Sequence, residues 1–316
     1  MNDSFQSVAC TLLLLAIPLD FAPHSERVSL FPRLDAGQTF RYQIGYRAET
    51  HTDTESSVAA PMAPTGGATY VQLLLQVEVE NVLTEAGKPV VHFGTWIIEP
   101  DAITPGDPGN SLNGGKSVEF TLHHDGQVTD LQGLDRLSSE ERAVWQEWVA
   151  RFGGGGTSPE RGVKPGDRWK TDEPISTAVL SGLSWDKESE YVNDAPCQAQ
   201  AMTPQAGPAP SEAAQETCAV ILTTATIKQK SSQKDATPED YKQHDLRNMG
   251  IAKGTNEIVT YISLKTGLVV RATEDANQSM NVIVAKSDGS NRVHYMIDAE
   301  SHAQIMLLAE PPAVHP

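Results

Sequence analysis

His123 and His124, followed by Asp125, are the residues of this 316-residue sequence that most resemble a metal site. Imidazole and carboxylate groups are common metal ligands. The pair lies in an alternating stretch, however, and consecutive residues of a strand point to opposite faces of a sheet. Two adjacent histidines therefore seldom reach one ion, although His92 and His294 could approach in space. We expect no bound metal and interpret these residues as sheet or surface histidines.

Two other segments look like sites of chemistry but lack the residues that the chemistry needs. Residues 113–117 (N-G-G-K-S) end like a phosphate-binding loop, yet Asn110 stands where the first Gly belongs and a strand follows where a helix is required. Ser184 lacks the Gly-x-Ser-x-Gly turn of a hydrolase nucleophile. We therefore expect no cofactor and identify no catalytic residue. A secreted hydrolase with a site built from loops stays an open alternative.

Cys197 and Cys218 flank a segment rich in Pro, Ala and Gln. An even pair that brackets such a segment in an exported protein suggests a disulfide. By loop entropy it would stabilise the fold by roughly 3 kcal/mol. Two buried free thiols are the alternative. A zinc site is not expected, because there is no Cys-x-x-Cys pair and no His at ligand spacing from either cysteine.

The N-terminus carries one apolar run, residues 10–19, which Pro18 interrupts. The run is too short to span a bilayer but suits the apolar region of a secretory signal. No Lys or Arg precedes it, and Asp20 is poorly placed for a cleavage site. A lipobox-like sequence, residues 7–10, lies before the run instead of after it, which argues against a lipoprotein. We expect residues 1–22 to be a signal peptide and the protein to be exported, periplasmic or extracellular, with an outer-envelope association; a buried N-terminal strand or helix is the alternative.

The chain is strongly acidic, with a formal net charge of −17, and no cluster of Lys and Arg offsets it. A phosphate backbone would be repelled, so we exclude nucleic acid as a partner. Strong binding to anionic membranes is disfavoured for the same reason. The partners that remain are a lipid or an envelope protein.

Alternation with a period of two predicts most of the chain to be strand. It is clearest at residues 40–46 and 71–79, and Asp125-Gly126 predicts a tight hairpin after residues 118–122. Polar residues 50–69 and 231–255 are predicted to be loops, the second with a helical turn after Pro238. Later strands recur at a spacing of about ten residues, which is typical of an antiparallel meander. They are predicted at residues 182–192, 218–228, 257–263, 268–274, 280–286, 292–297 and 303–308.

One amphipathic helix is predicted between the two runs of strands. Ser138 and Glu141 fit a capping box. Trp145, Trp148 and Phe152 then fall on one apolar stripe, together with Val149, before a run of four glycines. The stripe docks the helix on the sheet, or the helix is the lid of a pocket for an apolar ligand. Trp145, Trp148 and Phe152 are therefore the candidate ligand-binding residues.

The two runs of strands look alike. Residues 34–40 resemble 163–169, and residues 118–131 resemble 258–272. We predict two similar β units, 28–135 and 163–310, joined by the helix and a Gly-rich linker at 136–162. Chance reuse of turn chemistry is the alternative. The predicted fold is mainly β with one amphipathic helix, antiparallel, its two similar β units forming curved sheets or an open half-barrel.

Five segments carry a resemblance to a known family: residues 34–42, 71–79, 118–133, 163–169 and 267–283. In these motifs the chain resembles a family of uncharacterised bacterial secreted proteins, defined by a domain of unknown function. The resemblance implies an exported, β-rich protein and carries over no catalytic residues. We thus expect a non-enzymatic exported β protein that binds an apolar or lipidic ligand or an envelope partner.

Overall fold

A computed structural model describes residues 26–57, 64–98, 117–152, 159, 161–175, 179–197 and 216–308. The predicted signal peptide lies outside these residues. Two helices are described, α1 (Ser139–Phe152) and the short α2 (Glu239–Gln243), with one turn of 3-10 helix at Leu134–Arg136. The strands are β1 (Thr39–Ser56), β2 (Thr65–Glu85), β3 (Lys88–Ile98), β4 (Ser117–His123), β5 (Val128–Gln132), β6 (Arg168–Pro174), β7 (Leu183–Pro196), β8 (Thr217–Gln229), β9 (Leu246–Ser263), β10 (Val269–Lys286) and β11 (Val293–Leu308).

All eleven strands form one antiparallel sheet in the order β5-β4-β3-β2-β1-β11-β10-β9-β8-β7-β6. The first and last strands pair in its interior, from Arg41 opposite Leu308 to Ser56 opposite Val293. Strands β5 and β6 are the two edges, so the sheet is open. The predicted fold class is confirmed, and the strands of both predicted units share a single sheet.

Helix α1 connects the two edges of the sheet, because it follows β5 and precedes β6. The predicted capping box is confirmed: the Glu141 backbone N–H donates to Ser138 Oγ at 3.2 Å, and the Ser138 N–H donates to Glu141 Oε2 at 2.8 Å. The helix contacts β2, β1 and β10. It therefore crosses one face of the sheet, which we call the helix-bearing face.

The main core lies between α1 and this face. Alternate residues of the strands point into it, as the period of two requires. A second, smaller core lies further along β9 and β10, where residues from the connections before β7 and β9 cover the sheet. The main core includes Leu30, Phe31, Leu34, Tyr42, Ile44, Leu75, Val77, Phe93, Phe120, Trp145, Trp148 and Phe152, and the smaller core consists of Leu180, Leu183, Ala236, Ala252 and Val282.

Two predicted loops were wrong in their extent. Strand β1 continues to Ser56 and β2 begins at Thr65, inside the predicted loop 50–69. Strand β9 begins at Leu246, inside the predicted loop 231–255, although the predicted helical turn is confirmed as α2. At residues 50–56 and 65–69 the sheet carries small and polar side chains on both faces, so apolar alternation is missing while strand pairing persists. In the first part of β9, Met249 and Ile251 share one face, but glycines, Asn248 and Ala252 on the other face weaken the pattern.

The two halves share a local hydrogen-bonding arrangement. The Gly37 N–H donates to the Val79 carbonyl at 2.7 Å, and the Gly166 N–H donates to the Tyr191 carbonyl at 2.7 Å. Both glycines have positive φ. Each acceptor residue is followed by a shift in the strand register, and the two shifts end at Asn81 and Asn193. This equivalence fits the predicted duplication, which stays a prediction.

Candidate functional site

The three predicted ligand-binding aromatics lie in the main core. Trp145 and Trp148 are 0% exposed and Phe152 is 1% exposed. The Trp148 ring lies 4.7 Å from that of Phe152 and 5.7 Å from that of Tyr42, centroid to centroid. Burial raises the pKa of Tyr42, whose hydroxyl donates to the Val269 carbonyl at 3.0 Å. The rings fill the space beneath the helix, which is the helix-docking interpretation; a role as a pocket lid stays a prediction.

The disulfide between Cys197 and Cys218 is confirmed, with the two Cα atoms 5.1 Å apart. It joins the end of β7 to the start of β8. The alternative of two free thiols is wrong. The Cys197 N–H also donates to the Glu216 carbonyl at 2.7 Å, so the bridge continues the pairing of these two strands by one step.

His92 and His123 both lie near Asp130. His123 Nε2 lies 2.8 Å from Thr129 Oγ1, whereas His124 Nε2 lies 2.8 Å from Lys88 Nζ. His92 contacts Thr121 through its Nδ1 atom at 2.8 Å. Within the described part of the chain, no three or more His, Cys, Asp or Glu residues are placed to hold a metal ion.

A row of polar and small residues crosses the helix-bearing face between the two cores. The registers of β7 with β8, β8 with β9, β9 with β10, β10 with β11 and β11 with β1 place one residue of each strand side by side. We call these residues the polar row: Lys187, Ala225, Asn256, Ala276, Ser301 and Ala48.

Arg151, at the end of α1, reaches the row next to the polar row. Its Nε atom donates to Glu274 Oε2 at 2.8 Å, and its Nη2 atom contacts the same oxygen. The other oxygen, Glu274 Oε1, accepts from the side-chain NH2 of Asn256. The side chains of Arg151 and Glu274 are only 7% and 10% exposed. The pair therefore fastens the end of the helix to β10 and orients the amide of Asn256.

Asn256 has a buried acceptor that nothing in the described residues satisfies. The residue is 6% exposed, and its Oδ1 atom has no hydrogen-bond partner there. Most buried polar atoms in native proteins are hydrogen-bonded, and leaving one unsatisfied costs about 1–3 kcal/mol. Such an atom is a natural acceptor for a donor group of a ligand.

Lys187, at the other end of the row, is a buried cation. Its side chain is 6% exposed and is paired with Glu173, whose side chain is 50% exposed on edge strand β6. Lysine is almost never fully buried unless it is paired. In the adjacent row, the hydroxyls of Ser189 and Thr223 lie 2.8 Å apart. This part of the face is polar and enclosed.

Beyond α1 the helix-bearing face is partly open and apolar. Strands β1, β2, β10 and β11 extend past the helix, and their inward residues there are half-buried. The registers place these residues on the same face as the polar row. We call them the open strip: Tyr46, Val71, Met280, Ile297 and Ala299.

The polar residues of this face are not among those predicted from the sequence. Lys187 and Ser189 lie an even number of residues from the buried Leu183 and Tyr191 on β7, so a period of two places all four on the inward face. Their polarity masks that signal. Asn256 lies between the predicted loop 231–255 and the strand predicted at residues 257–263, so neither prediction covers it.

Neither helix in the described ranges is long and apolar enough to cross a membrane. No protein-family model matches the chain, and no curated protein matches it. The chain is similar to two solved structures at 8% identity. One is a candidate lipoprotein from Parabacteroides distasonis, with a TM-score of 0.29 over 86% of this chain and 98% of the other. The other is the outer membrane protein OprG from Pseudomonas aeruginosa, with a TM-score of 0.19 over 86% and 96%. At these scores the likeness says nothing about function.

Proposed function

We propose that the protein is an exported, non-enzymatic binding protein that holds an apolar or lipidic ligand on its helix-bearing face. The observation that carries this proposal is the open strip, whose half-buried residues extend from the main core, at Tyr46 and Val71, to the smaller core, at Met280. A concave or partly covered apolar surface with a few polar groups nearby is the usual form of a small-molecule site.

The chemistry of the face favours a ligand with an apolar chain. Met280, Ile297 and Ala299 offer no hydrogen bonds, so burial of apolar surface would supply the affinity, about 25 cal/mol for each Å² removed from water. The polar row crosses this strip at Ala48 and Ser301 and supplies groups for a polar end. An amphipathic ligand with one chain suits both parts.

Export is supported by the disulfide, and the charge of the chain restricts the partners. A disulfide persists in oxidising compartments and is rare in the cytosol. The net charge of −17 disfavours nucleic acid and anionic membrane surfaces as partners. An envelope-protein partner and a loop-built hydrolase site stay predictions.

The test is binding of dodecanol to the full chain by isothermal titration calorimetry, together with native mass spectrometry for lipid that copurifies after periplasmic expression. Ile297→Glu places a charge on the open strip, and we expect it to abolish dodecanol binding. Met296→Glu is the matched control, because Met296 is also half-buried but points to the opposite face. Absence of binding to the unaltered chain, or equal losses in both variants, would overturn the proposal.

A further inference from the structure

Two groups of the polar row are suited to a ligand, and one small residue separates them. Lys187 lies on β7 and Asn256 on β9, with Ala225 between them on β8. Neighbouring strands lie about 4.8 Å apart, so the two backbones are roughly 10 Å apart. Ala225 carries a single methyl group and is only 3% exposed, so a group held between these two longer side chains is shielded from water.

Among the described residues of this face, Lys187 is a cation with an exchangeable partner. Arg151 is held by Glu274 through two N–H groups, and both Glu274 oxygens are engaged. Lys187 differs, since its carboxylate partner Glu173 is half exposed on an edge strand and can be hydrated when it is displaced. Lys187 itself is buried and cannot turn to solvent at low cost.

We infer that the polar row binds the anionic end of the ligand, and that this end is a carboxylate with a hydroxyl or amide N–H close to it. The carboxylate replaces Glu173 on Lys187, and the neighbouring donor satisfies Asn256 Oδ1. The chain of the ligand then runs across β10, β11 and β1 towards the open strip, past the small residues Ala276 and Ser301. This inference rests on the proposed function and names the class of ligand, a long-chain hydroxy or amido acid.

Lys187 and Asn256 also argue against other polar groups at this end of the ligand. An amine would suit the Asn256 acceptor but would be repelled by Lys187. A doubly charged phosphate would call for a second cation, and Arg151 is already neutralised by Glu274. A neutral alcohol would leave Lys187 with Glu173 and gain nothing from the charge.

The experiment compares three probes of equal chain length on the delipidated full chain by isothermal titration calorimetry: dodecanol, dodecanoate and beta-hydroxydodecanoate. We expect dodecanoate to bind about tenfold or more tighter than dodecanol, as a charge-assisted hydrogen bond implies. The hydroxy acid should bind about three- to tenfold tighter again. Binding of dodecanol with no gain for either acid would overturn this inference and leave the proposed function standing. Binding of none would overturn both.

Variants assign the two preferences to their residues. Lys187→Met should bring dodecanoate to the level of dodecanol, and Asn256→Leu should remove the gain from the hydroxyl. The controls are Lys230→Met and Asn277→Leu, exposed residues of the opposite face, which should keep both ratios. Each ratio is measured within one variant, so a change in stability does not imitate the effect.

A variant that binds more tightly cannot be explained by a failure to fold, so we also propose one that should gain affinity for dodecanoate. Glu173→Gln removes the carboxylate that competes for Lys187, so dodecanoate should bind several-fold tighter while dodecanol is unchanged. Unchanged or weaker dodecanoate binding in this variant would overturn the assignment of Lys187 to the anionic end.

Discussion

At the scale of single residues, two neighbouring indoles of α1 differ in one hydrogen bond. Trp145 Nε1 donates to Thr95 Oγ1 at 3.0 Å, and that hydroxyl donates to the Val118 carbonyl at 2.8 Å. Trp148 Nε1 is buried and has no partner among the described residues. Replacement by Phe removes the same atoms at both sites, but only at position 145 is a buried hydrogen bond lost. We expect Trp145→Phe to lower the free energy of unfolding by about 1 kcal/mol more than Trp148→Phe.

Urea denaturation measures this difference, provided that the slope of each transition stays the same. Trp96→Phe is the control, because Trp96 is half-buried on the opposite face of the sheet and should change stability least. If Trp148→Phe proves equally or more damaging, the Trp148 N–H has a partner in solution, and the contrast between the two indoles disappears.

At the scale of elements, the buried ion pair between Arg151 and Glu274 holds the end of α1 on the sheet. Arg151→Met leaves Glu274 as a buried charge without its cation, which costs about 3–5 kcal/mol. Adding Glu274→Gln removes the uncompensated charge and keeps a group that can bond to Asn256. The double variant should therefore be more stable than Arg151→Met alone, as measured by the free energy of unfolding in urea.

Arg168→Met gives the comparison for an exposed pair. Arg168 meets Glu190 at 2.7 Å, but its side chain is 63% exposed. Such pairs contribute roughly 0–1 kcal/mol. A loss in Arg151→Met no larger than that in Arg168→Met would show that the helix is held by its aromatic side chains alone.

The elements also show how far the sequence predicts the structure. The capping box at Ser138, the aromatic stripe of α1 and the hairpin at Gly126 depend on residues close together in the chain, and all are confirmed. The pairing of β1 with β11 joins residues more than 200 positions apart, and no local pattern encodes it. The contact between Arg151 and Glu274 spans 123 positions and was missed for the same reason.

The candidate site was harder to predict than the fold because its residues interrupt the alternation of apolar and polar residues by which strands are predicted. Inward positions of β7 and β9 carry Lys187 and Asn256 where a core would carry apolar groups. Alternation of apolar residues therefore weakens where the candidate binding residues lie. Along β7 the period of two still directs Lys187 inward, whereas the register of the neighbouring strands is needed to place Asn256 on the same face.

At the scale of the whole molecule, the two predicted β units have one core and one sheet. The main core contains Tyr42 and Phe93 from the first unit and Tyr191, Ile221 and Ile262 from the second. The pairing of β1 with β11 joins the units along the length of both strands. Neither unit can unfold without exposing apolar surface of the other. We therefore expect a single cooperative unfolding transition with the disulfide intact.

Indoles packed in each half report on this cooperativity. Trp145, on α1, contacts Phe120 and Thr95 of the first unit, and Trp185 lies on β7 of the second, so variants that retain one tryptophan each, with Phe elsewhere, follow the two halves separately. The two fluorescence transitions should coincide with each other and with the far-ultraviolet circular dichroism transition, and the calorimetric enthalpy should equal the van't Hoff enthalpy. Adding Arg151→Met, which loosens the helix that links the edges, should lower both midpoints together. Two separated transitions, or a change of midpoint only in the variant that retains Trp145, would contradict this prediction. The halves would then fold as independent domains that merely contact each other through the sheet.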